Sequence, residues 1–185
     1  MKKFVLTVLA IAVAASPAFA QVGDISAYAD GAGTSCNIVD TAPGLVTINV
    51  LHKHTVGATA SQWAINLNGG STLTFTGVAA APGMLVIAPS GPTDVSIAYG
   101  GCVTGDFLIA TVTYFGGGTS PPCSYINFSG APTSPIPGEV ASVACDLSTT
   151  LVTPTGQANI NPDGTCQCDV AVNEATWGGI KALYR

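Results

Sequence analysis

Two histidines in one short stretch are the first residues of this sequence whose chemistry suggests a metal site. His52 and His54 are the only histidines, and Lys53 separates them. If a β-strand continues through them, their i, i+2 spacing places both imidazoles on one face, where they can begin a zinc or copper site. No third ligand is identifiable in the sequence. The interpretation we favour is a strand end that turns into solvent, and a metal-assisted hydrolase is the weakest of the functions considered.

A second candidate metal site lies near the C-terminus. Asn159, Asn161 and Asp163, followed by Gly164, have the spacing that opens an EF-hand calcium loop. Val170 stands at the twelfth position, where that loop needs a bidentate glutamate. Because Asn, Asp and Gly also build ordinary turns, a turn is the favoured interpretation and calcium the alternative. We predict no cofactor.

Catalysis by a nucleophile or by paired carboxylates has little support. The sequence has no G-x-S-x-G motif, and Glu139 and Glu174 are its only glutamates. Several aspartates neighbour a glycine and fit turns: Asp24, Asp30, Asp106 and Asp163. We therefore predict a protein that is not an enzyme.

Aromatic residues offer a different chemistry, because flat rings can stack on the faces of sugars. Strand parity places three of them on apolar faces, where they are predicted to fill the core: Trp63, Tyr99 and Tyr114. Three others are the candidate binding residues of the surface: Tyr28, Tyr125 and Trp177. Asn127-Phe128-Ser129 is in addition a sequon for hosts that glycosylate exported proteins.

The cysteines favour disulfide bonds over a metal site. There are six of them: Cys36, Cys102, Cys123, Cys145, Cys166 and Cys168. An even number in an exported chain favours disulfides, each contributing about 2–4 kcal/mol, whereas a zinc site lacks the usual C-x-x-C pair. The sequence leaves the pairing open. Cys166 and Cys168 are expected to join upstream strands, because a bond between them would close a strained ring.

Residues 1–20 have the pattern of a secretory signal of the bacterial kind. Two lysines precede the uncharged, mostly apolar run Phe4–Ala15, and Ala18-Phe19-Ala20 predicts cleavage before Gln21. The apolar run is too short to span a bilayer, and no later segment is long and apolar enough. We expect a secreted or cell-surface protein, with the periplasm as an alternative.

The composition excludes further classes of protein. Of the 185 residues, 48% are hydrophobic and 8% charged, the reverse of a disordered chain. Without the leader, 5 − 2 = 3 basic residues remain beside 10 acidic ones, so the formal net charge is 3 − 10 = −7. An acidic surface disfavours nucleic acid and anionic lipid as partners. We therefore expect the partner to be an extracellular protein or a glycan of unknown identity.

Short segments of alternating apolar and polar residues must position these side chains. They are separated by turn residues such as Asn68-Gly69-Gly70 and predict about ten or eleven strands. The segments are Ile25–Ala29, Leu45–Leu51, Gln62–Leu67, Leu73–Gly77, Met84–Ile87, Val95–Tyr99, Leu108–Tyr114, Tyr125–Phe128, Val140–Ala144, Thr150–Thr153 and Asp169–Val172. In Leu108–Tyr114, the even-numbered residues are predicted to share one face, opposite Ile109. The pattern predicts an all-β antiparallel sandwich, jelly-roll or immunoglobulin-like, in a single domain over residues 21–185.

The C-terminal segment has a different pattern. Trp177, Ile180 and Tyr184 are spaced by three and four residues, which suits one short helix, although Gly178-Gly179 weakens it. We expect residues 173–185 to form a short helical or terminal element that docks its aromatics on the sandwich. The alternative is a tail recognised by a sorting system.

Four segments between residues 45 and 128 resemble a cohesin-type β-sandwich, a group related to some carbohydrate-binding modules. They are Gly57–Leu67, Leu73–Val78, Val95–Gly100 and Leu108–Thr113. The resemblance implies a jelly-roll-like sandwich used for attachment to a protein or a glycan. The leading hypothesis is a secreted, non-enzymatic module for extracellular attachment or assembly, with a carbohydrate-binding module as the alternative.

Overall fold

The regular structure consists entirely of β-strands in the part of the chain described by the computed structural model, residues 23–167 without the side chains of 88–90. The strands are β1 (Asp24–Tyr28), β2 (Asn37–Ile38), β3 (Pro43–Asn68), β4 (Thr74–Ala80), β5 (Leu85–Gly91), β6 (Asp94–Gly117), β7 (Ser124–Ser129), β8 (Ala141–Ala144), β9 (Thr149–Leu151), β10 (Thr153–Pro154) and β11 (Ala158–Ile160). Within these residues no helix is long and apolar enough to cross a membrane. The leader 1–20, the expected strand at 169–172 and the element at 173–185 lie outside the described residues.

Two long strands, β3 and β6, run through the fold. They pair antiparallel from Pro43 opposite Gly117 to Trp63 opposite Val95. The alternation pattern predicts two separate strands in each of these regions, but each is one strand whose middle carries β-bulges. An extra residue in one strand of a pair bends the ladder without ending it, which is why the local pattern is interrupted while the strand continues.

The other strands flank these two at different points along their length. At one end the strand order is β10-β1-β3-β6-β4, and at the other it is β9-β8-β3-β6-β5. The last residues of β3 leave β6 and pair with β7, in the order β3-β7-β11-β2. All of these pairs are antiparallel except β1–β10 and β2–β11. The predicted antiparallel β-sandwich is confirmed, with short parallel strands added at two edges.

The inward faces of all these strands meet in one hydrophobic core. Trp63, Tyr99 and Tyr114 are buried in it, as strand parity predicts. The rings of Trp63 and Phe128 lie 5.0 Å apart between centroids in an edge-to-face arrangement, which joins β3 to β7. The core therefore holds β3 and β6 in place and determines which of their side chains face the solvent.

The predicted face of Ile109 is wrong. The ladder pairs Val50 with Ala110 and Leu51 with Leu108, so Ile109 is the extra residue of a bulge. Both Ile109 and Ala110 are fully buried, whereas Leu108 is half-buried. A bulge shifts the alternation by one residue, which a strict period of two cannot anticipate.

Disulfide bonds join distant parts of the sandwich. Cys102 bonds to Cys145 and Cys123 bonds to Cys166, with Cα atoms 5.3 Å and 5.7 Å apart. Cys36 is disulfide-bonded as well, and none of the cysteines in the described part of the chain is free. Cys166 ties the segment after β11 to the turn immediately before β7, whereas a bond to a strand was expected, and Cys168 lies outside the described residues.

Gly57 lies directly beneath the Cys102–Cys145 bond. A Cβ placed on it would stand 2.8 Å from the Cys145 Sγ and 3.4 Å from the Cys102 Sγ. Its φ of +151° is also one that residues with a side chain rarely adopt. The bond therefore crosses β3 at the position where the absence of a side chain makes room for it.

Candidate functional site

The two histidines do not share a face. His52 is fully buried, and its Nδ1 lies 3.0 Å from the Tyr99 hydroxyl oxygen. His54 has a positive φ of 56°, which breaks the alternation of β3, and its side chain is 74% exposed. The prediction of two imidazoles on one face is therefore wrong. The favoured interpretation of a strand end is wrong as well, because β3 continues through both residues, although His54 is exposed at an irregular point of the strand.

His54 instead forms an ion pair with an acidic residue of β1. Its Nδ1 lies 2.7 Å from the Asp24 Oδ1, and its backbone N–H donates to the Asp106 carboxylate at 2.7 Å. The hydrogen bond to Asp24 raises the pKa of His54 above its usual value; the charges of Asp24 and Asp106 add to this, while partial burial opposes it. Asp24 also accepts hydrogen bonds from the hydroxyls of Ser26 and Thr155. This arrangement holds the start of β1 against β3.

Part of the expected turn at residues 159–163 is a strand, and the side-chain amides of this segment form hydrogen bonds within the fold. Asn159 belongs to β11 and donates its Nδ2 hydrogen to the Cys166 carbonyl at 2.6 Å. Asn161 Nδ2 donates to the carbonyls of Asp40 and Ser120, and its Oδ1 accepts from the Asp40 N–H. Asp163 accepts from the N–H and hydroxyl of Thr165 in a local turn. All three side chains therefore form hydrogen bonds within the fold.

Asp40 is the buried charge that Asn161 helps to hold in place. Burial by itself raises the pKa of Asp40, but hydrogen bonds from the Ser120 hydroxyl and from the N–H groups of Gly118 and Ser120 lower it below its usual value. The carboxylate therefore stays charged and holds the loop at residues 118–120, which Asn161 also joins to the Asp40 backbone.

Asp163 also lies close to two sulfur atoms, in a group that has the residue types of a metal site. Candidate ligand atoms of Cys123, Asp163 and Cys166 lie within 4.8 Å of one another. The two sulfurs are bonded to each other, so neither is a thiolate that can bind zinc. The group is a disulfide beside a turn.

The candidate surface aromatics within the described residues lie on two different strands. Tyr28 ends β1 and is half-buried, with the Lys53 Nζ 5.1 Å from its ring centroid. Tyr125 is half-buried on β7, opposite Asn68 of β3. Trp177 lies outside the described residues. Among the described residues, no ring contact joins Tyr28 to Tyr125.

The most distinctive surface in the described part of the chain is the outward face of the β9-β8-β3-β6-β5 sheet, which we call the β5–β9 face. Residues opposite one another in an antiparallel pair point to the same side, so the register defines its two rows. The rows are Leu85, Ala98, Ala60, Val143 and Thr149, and then Ile87, Ser96, Gln62, Ala141 and Leu151. The centre of this face carries small side chains, and its two sides carry larger apolar ones.

The apolar residues at the sides of the β5–β9 face are open to solvent. Leu85 is 69% exposed and Ile87 47%, and Leu151 on the far side is 54% exposed. At one end of the face, Gln62 Nε2 donates to Asp94 at 2.8 Å and to Thr133 at 2.7 Å. The surface therefore combines a flat uncharged centre with apolar sides and one polar, acidic corner.

The sequence matches no protein-family model and no curated protein. Solved structures of cohesin modules do match the fold. The chain is similar to a cohesin module of a family 33 glycoside hydrolase from Clostridium perfringens, with 11% identity and a TM-score of 0.54 over 77% of this chain and 99% of that one. The fold is cohesin-like.

Two further cohesins show the same relationship. A non-cellulosomal cohesin from Archaeoglobus fulgidus has 10% identity and a TM-score of 0.52, over 77% of this chain and 93% of that one. A type II cohesin domain from the cellulosome of Acetivibrio cellulolyticus has 14% identity and a TM-score of 0.50, over 75% and 95%. The resemblance predicted from the strand segments is confirmed at the level of fold.

Sequence reasoning missed the apolar residues that mark the β5–β9 face of this cohesin-like domain. The segment Met84–Ile87 predicts a short strand, and Leu85 and Ile87 alternate in it with the half-buried Val86. That alternation was the available signal. In a strand with one wet face, two large apolar residues on the outward positions indicate a surface that is covered in another state.

Proposed function

We propose that this chain is a binding module that attaches an exported protein to another protein through the β5–β9 face. The observation that carries the proposal is the exposure of Leu85 and Ile87 beside a centre of small side chains. Single exposed apolar residues are common, but neighbouring ones on one flat sheet are typical of an interaction surface. The cohesin-like fold supports a protein partner, and the proposal makes the domain a binding module rather than an enzyme.

The composition of the β5–β9 face suits a protein better than a charged ligand. Ala60, Ser96 and Ala98 leave the central strands low and uncharged, so a partner can lie close to the sheet. Gln62 and Asp94 then supply hydrogen-bonding groups at the corner. Apolar contact residues combined with a few hydrogen-bonding groups are common in protein–protein interfaces.

The extracellular part of the proposal rests on the leader and the disulfides. Residues 1–20 have the pattern of an export signal, and disulfides persist in oxidising compartments. Sequencing the N-terminus of protein recovered from the culture medium of the native host tests this part. We expect it to begin at Gln21; protein found only in the cytoplasm with Met1 intact contradicts export.

The binding experiment compares substitutions on two exposed surfaces. Wild-type protein and the Leu85→Asp/Ile87→Asp variant are immobilised, and the host's own secreted proteins are passed over both. A protein retained by wild type is then produced alone, and its dissociation constant is measured by surface plasmon resonance. We expect the double variant to bind it about tenfold or more weakly, because two charges must be buried where apolar side chains contact the partner.

Leu45→Asp provides the matched control. Leu45 is likewise exposed, at 73%, but it lies on β3 opposite Phe115, at the end of the long strands away from the β5–β9 face. We expect this variant to bind as wild type does. Equal weakening by Leu45→Asp, or full binding by the double variant, contradicts the assignment of the partner to the β5–β9 face.

A further inference from the structure

A second polar surface lies where β3 changes its partner from β6 to β7. Five outward side chains form it, and we call it the amide platform: Asn66 and Asn68 of β3, and Tyr125, Asn127 and Ser129 of β7. The register places Asn66 opposite Asn127 and Asn68 opposite Tyr125. All five are half-buried, while the alternate residues of β7 point into the core. The platform therefore has a fixed backbone beneath it.

The residue types of the amide platform are unusual for strands. Asn is depleted in β-strands because its side chain competes for backbone hydrogen bonds and packs poorly on a pleated surface. Three asparagines nevertheless occupy neighbouring positions on two paired strands, where Thr or Val would stabilise the sheet better. This cost in sheet stability indicates that the amides serve a purpose other than stabilising the sheet.

Hydrogen bonds orient these amides and leave some of their groups open. Asn68 Nδ2 donates to Asn127 Oδ1 at 3.0 Å, and Asn66 Nδ2 donates to Ser129 Oγ at 3.0 Å. Among residues 23–167, the Nδ2 of Asn127 and the Oδ1 atoms of Asn66 and Asn68 have no protein partner. The platform thus presents both a donor and acceptors, held in place by their neighbours.

One side of the amide platform is bounded by the loop that carries Cys166. Asn159 lies opposite Tyr125 on the next strand, but it is buried, and its Nδ2 donates to the Cys166 carbonyl. The loop that carries Cys166 is fastened to Cys123 by a disulfide. Tyr125 therefore stands between the open amides and a fixed loop.

We infer that the amide platform binds a neutral glycan. Sugar hydroxyls donate and accept together, which matches side-chain amides, and the carbon-bound hydrogens of a sugar ring pack on an aromatic side chain such as Tyr125. No charged residue belongs to the platform, so neither an acidic nor a basic ligand is favoured. This site is separate from the β5–β9 face and does not depend on the proposed protein partner.

Affinity electrophoresis tests this inference across several neutral polysaccharides at once. The mature chain, with a formal net charge of 3 − 10 = −7, migrates in native gels cast with xylan, soluble β-glucan or galactomannan, and with polygalacturonate as an acidic comparison. We expect retardation in at least one neutral gel and none in the acidic gel. Retardation in no neutral gel, or only in polygalacturonate, overturns the inference.

Substitutions then assign the binding to the amide platform. Tyr125→Ala and Asn127→Ala are expected to weaken retardation about tenfold or more, whereas Tyr125→Phe keeps the ring and retains part of it. Tyr28→Ala is the matched control, since Tyr28 is also a half-buried tyrosine at a strand end. Equal retardation of wild type and Tyr125→Ala overturns the inference, as does a loss with Tyr28→Ala.

Two measurements keep these outcomes decisive. Urea unfolding of each variant shows that a loss of retardation does not come from loss of the fold, and retained binding of the β5–β9 partner shows the same independently. Intact-mass measurement tests whether the sequon residue Asn127 carries a covalent sugar. A glycan attached there covers the platform and overturns its assignment as a binding site.

Discussion

Removing the Cys102–Cys145 disulfide tests how the β5–β9 face is held together. The bond fastens β6 to the end of β8, and β8 pairs on its other sides only with β3 and β9 in the described structure. Replacing both cysteines with alanine leaves no free thiol and removes the connection. We expect the variant to fold, to be less stable than wild type and to bind the β5–β9 partner more weakly.

The size of the expected loss follows from the length of chain between the two cysteines. They are 43 residues apart, and cross-linking a loop of that length lowers the entropy of the unfolded chain by about 13 cal/mol/K. At 25 °C this corresponds to about 4 kcal/mol of stability. The overlapping Cys123–Cys166 bond already restricts the same stretch, so the loss is expected at or slightly below this value.

Urea unfolding at neutral pH measures this difference, with tryptophan fluorescence and far-ultraviolet circular dichroism as the two signals. The matched control is the Cys123→Ala/Cys166→Ala variant, whose loop also spans 43 residues. We expect a comparable loss of stability in both variants, but weaker binding on the β5–β9 face only when Cys102 and Cys145 are replaced.

Two results would refute this reasoning. A loss below about 1 kcal/mol for Cys102→Ala/Cys145→Ala shows that the chain-entropy argument fails for this bond. Full partner affinity in that variant shows that β8 holds its position without the disulfide.

Three further predictions concern single residues. Gly57→Ala is expected to lower the free energy of unfolding in urea by about 1–3 kcal/mol, because the added Cβ meets the Cys145 sulfur. The loss should be clearly smaller in a protein without the Cys102–Cys145 disulfide, and equal losses contradict that contact. Tyr114→Phe is expected to raise stability by about 1 kcal/mol, because the buried hydroxyl has no hydrogen-bond partner in the described structure, and a lower urea midpoint contradicts this. Asp24 raises the pKa of His54, so their ion pair stabilises the fold fully below the pKa of the unfolded state and is lost as the pH rises through the pKa of the folded state. Because His54 is exposed, the contribution of this pair to the free energy of unfolding should differ by well under 1 kcal/mol between pH about 5.5 and 8.5. His54→Gln should abolish that contribution.

The alternation of apolar residues predicted the strands and core because burial on one face of a sheet is a local property of the sequence. Trp63 and Tyr114 are inside for this reason. The bulge at Ile109 was not predictable, because it depends on how β6 fits against β3. The same holds for β11, whose single polar residue, Asn159, is of a type common in turns. Asn161 is required by Asp40, 121 residues away in sequence, and no local pattern shows that partnership.

The candidate site was less predictable than the fold for a related reason. Leu85 and Ile87 belong to the proposed binding surface only because β5 lies at the edge of a sheet with small residues on its neighbours. Strand order is set by long-range pairing, which the sequence alone leaves open. Tyr125 was a candidate from its residue type, but its asparagine neighbours become visible only through the register of β3 and β7.

The crossed disulfides also determine how the domain responds to mechanical tension. While the Cys102–Cys145 bond is intact, a pulling force passes through the sulfurs and bypasses the 43-residue stretch that they enclose. An extended chain covers about 3.3–3.6 Å per residue, so about 150 Å of contour length is withheld from extension. A tether that joins two bodies in flowing liquid would therefore reach about 150 Å less at full extension, and a reductant would restore that length.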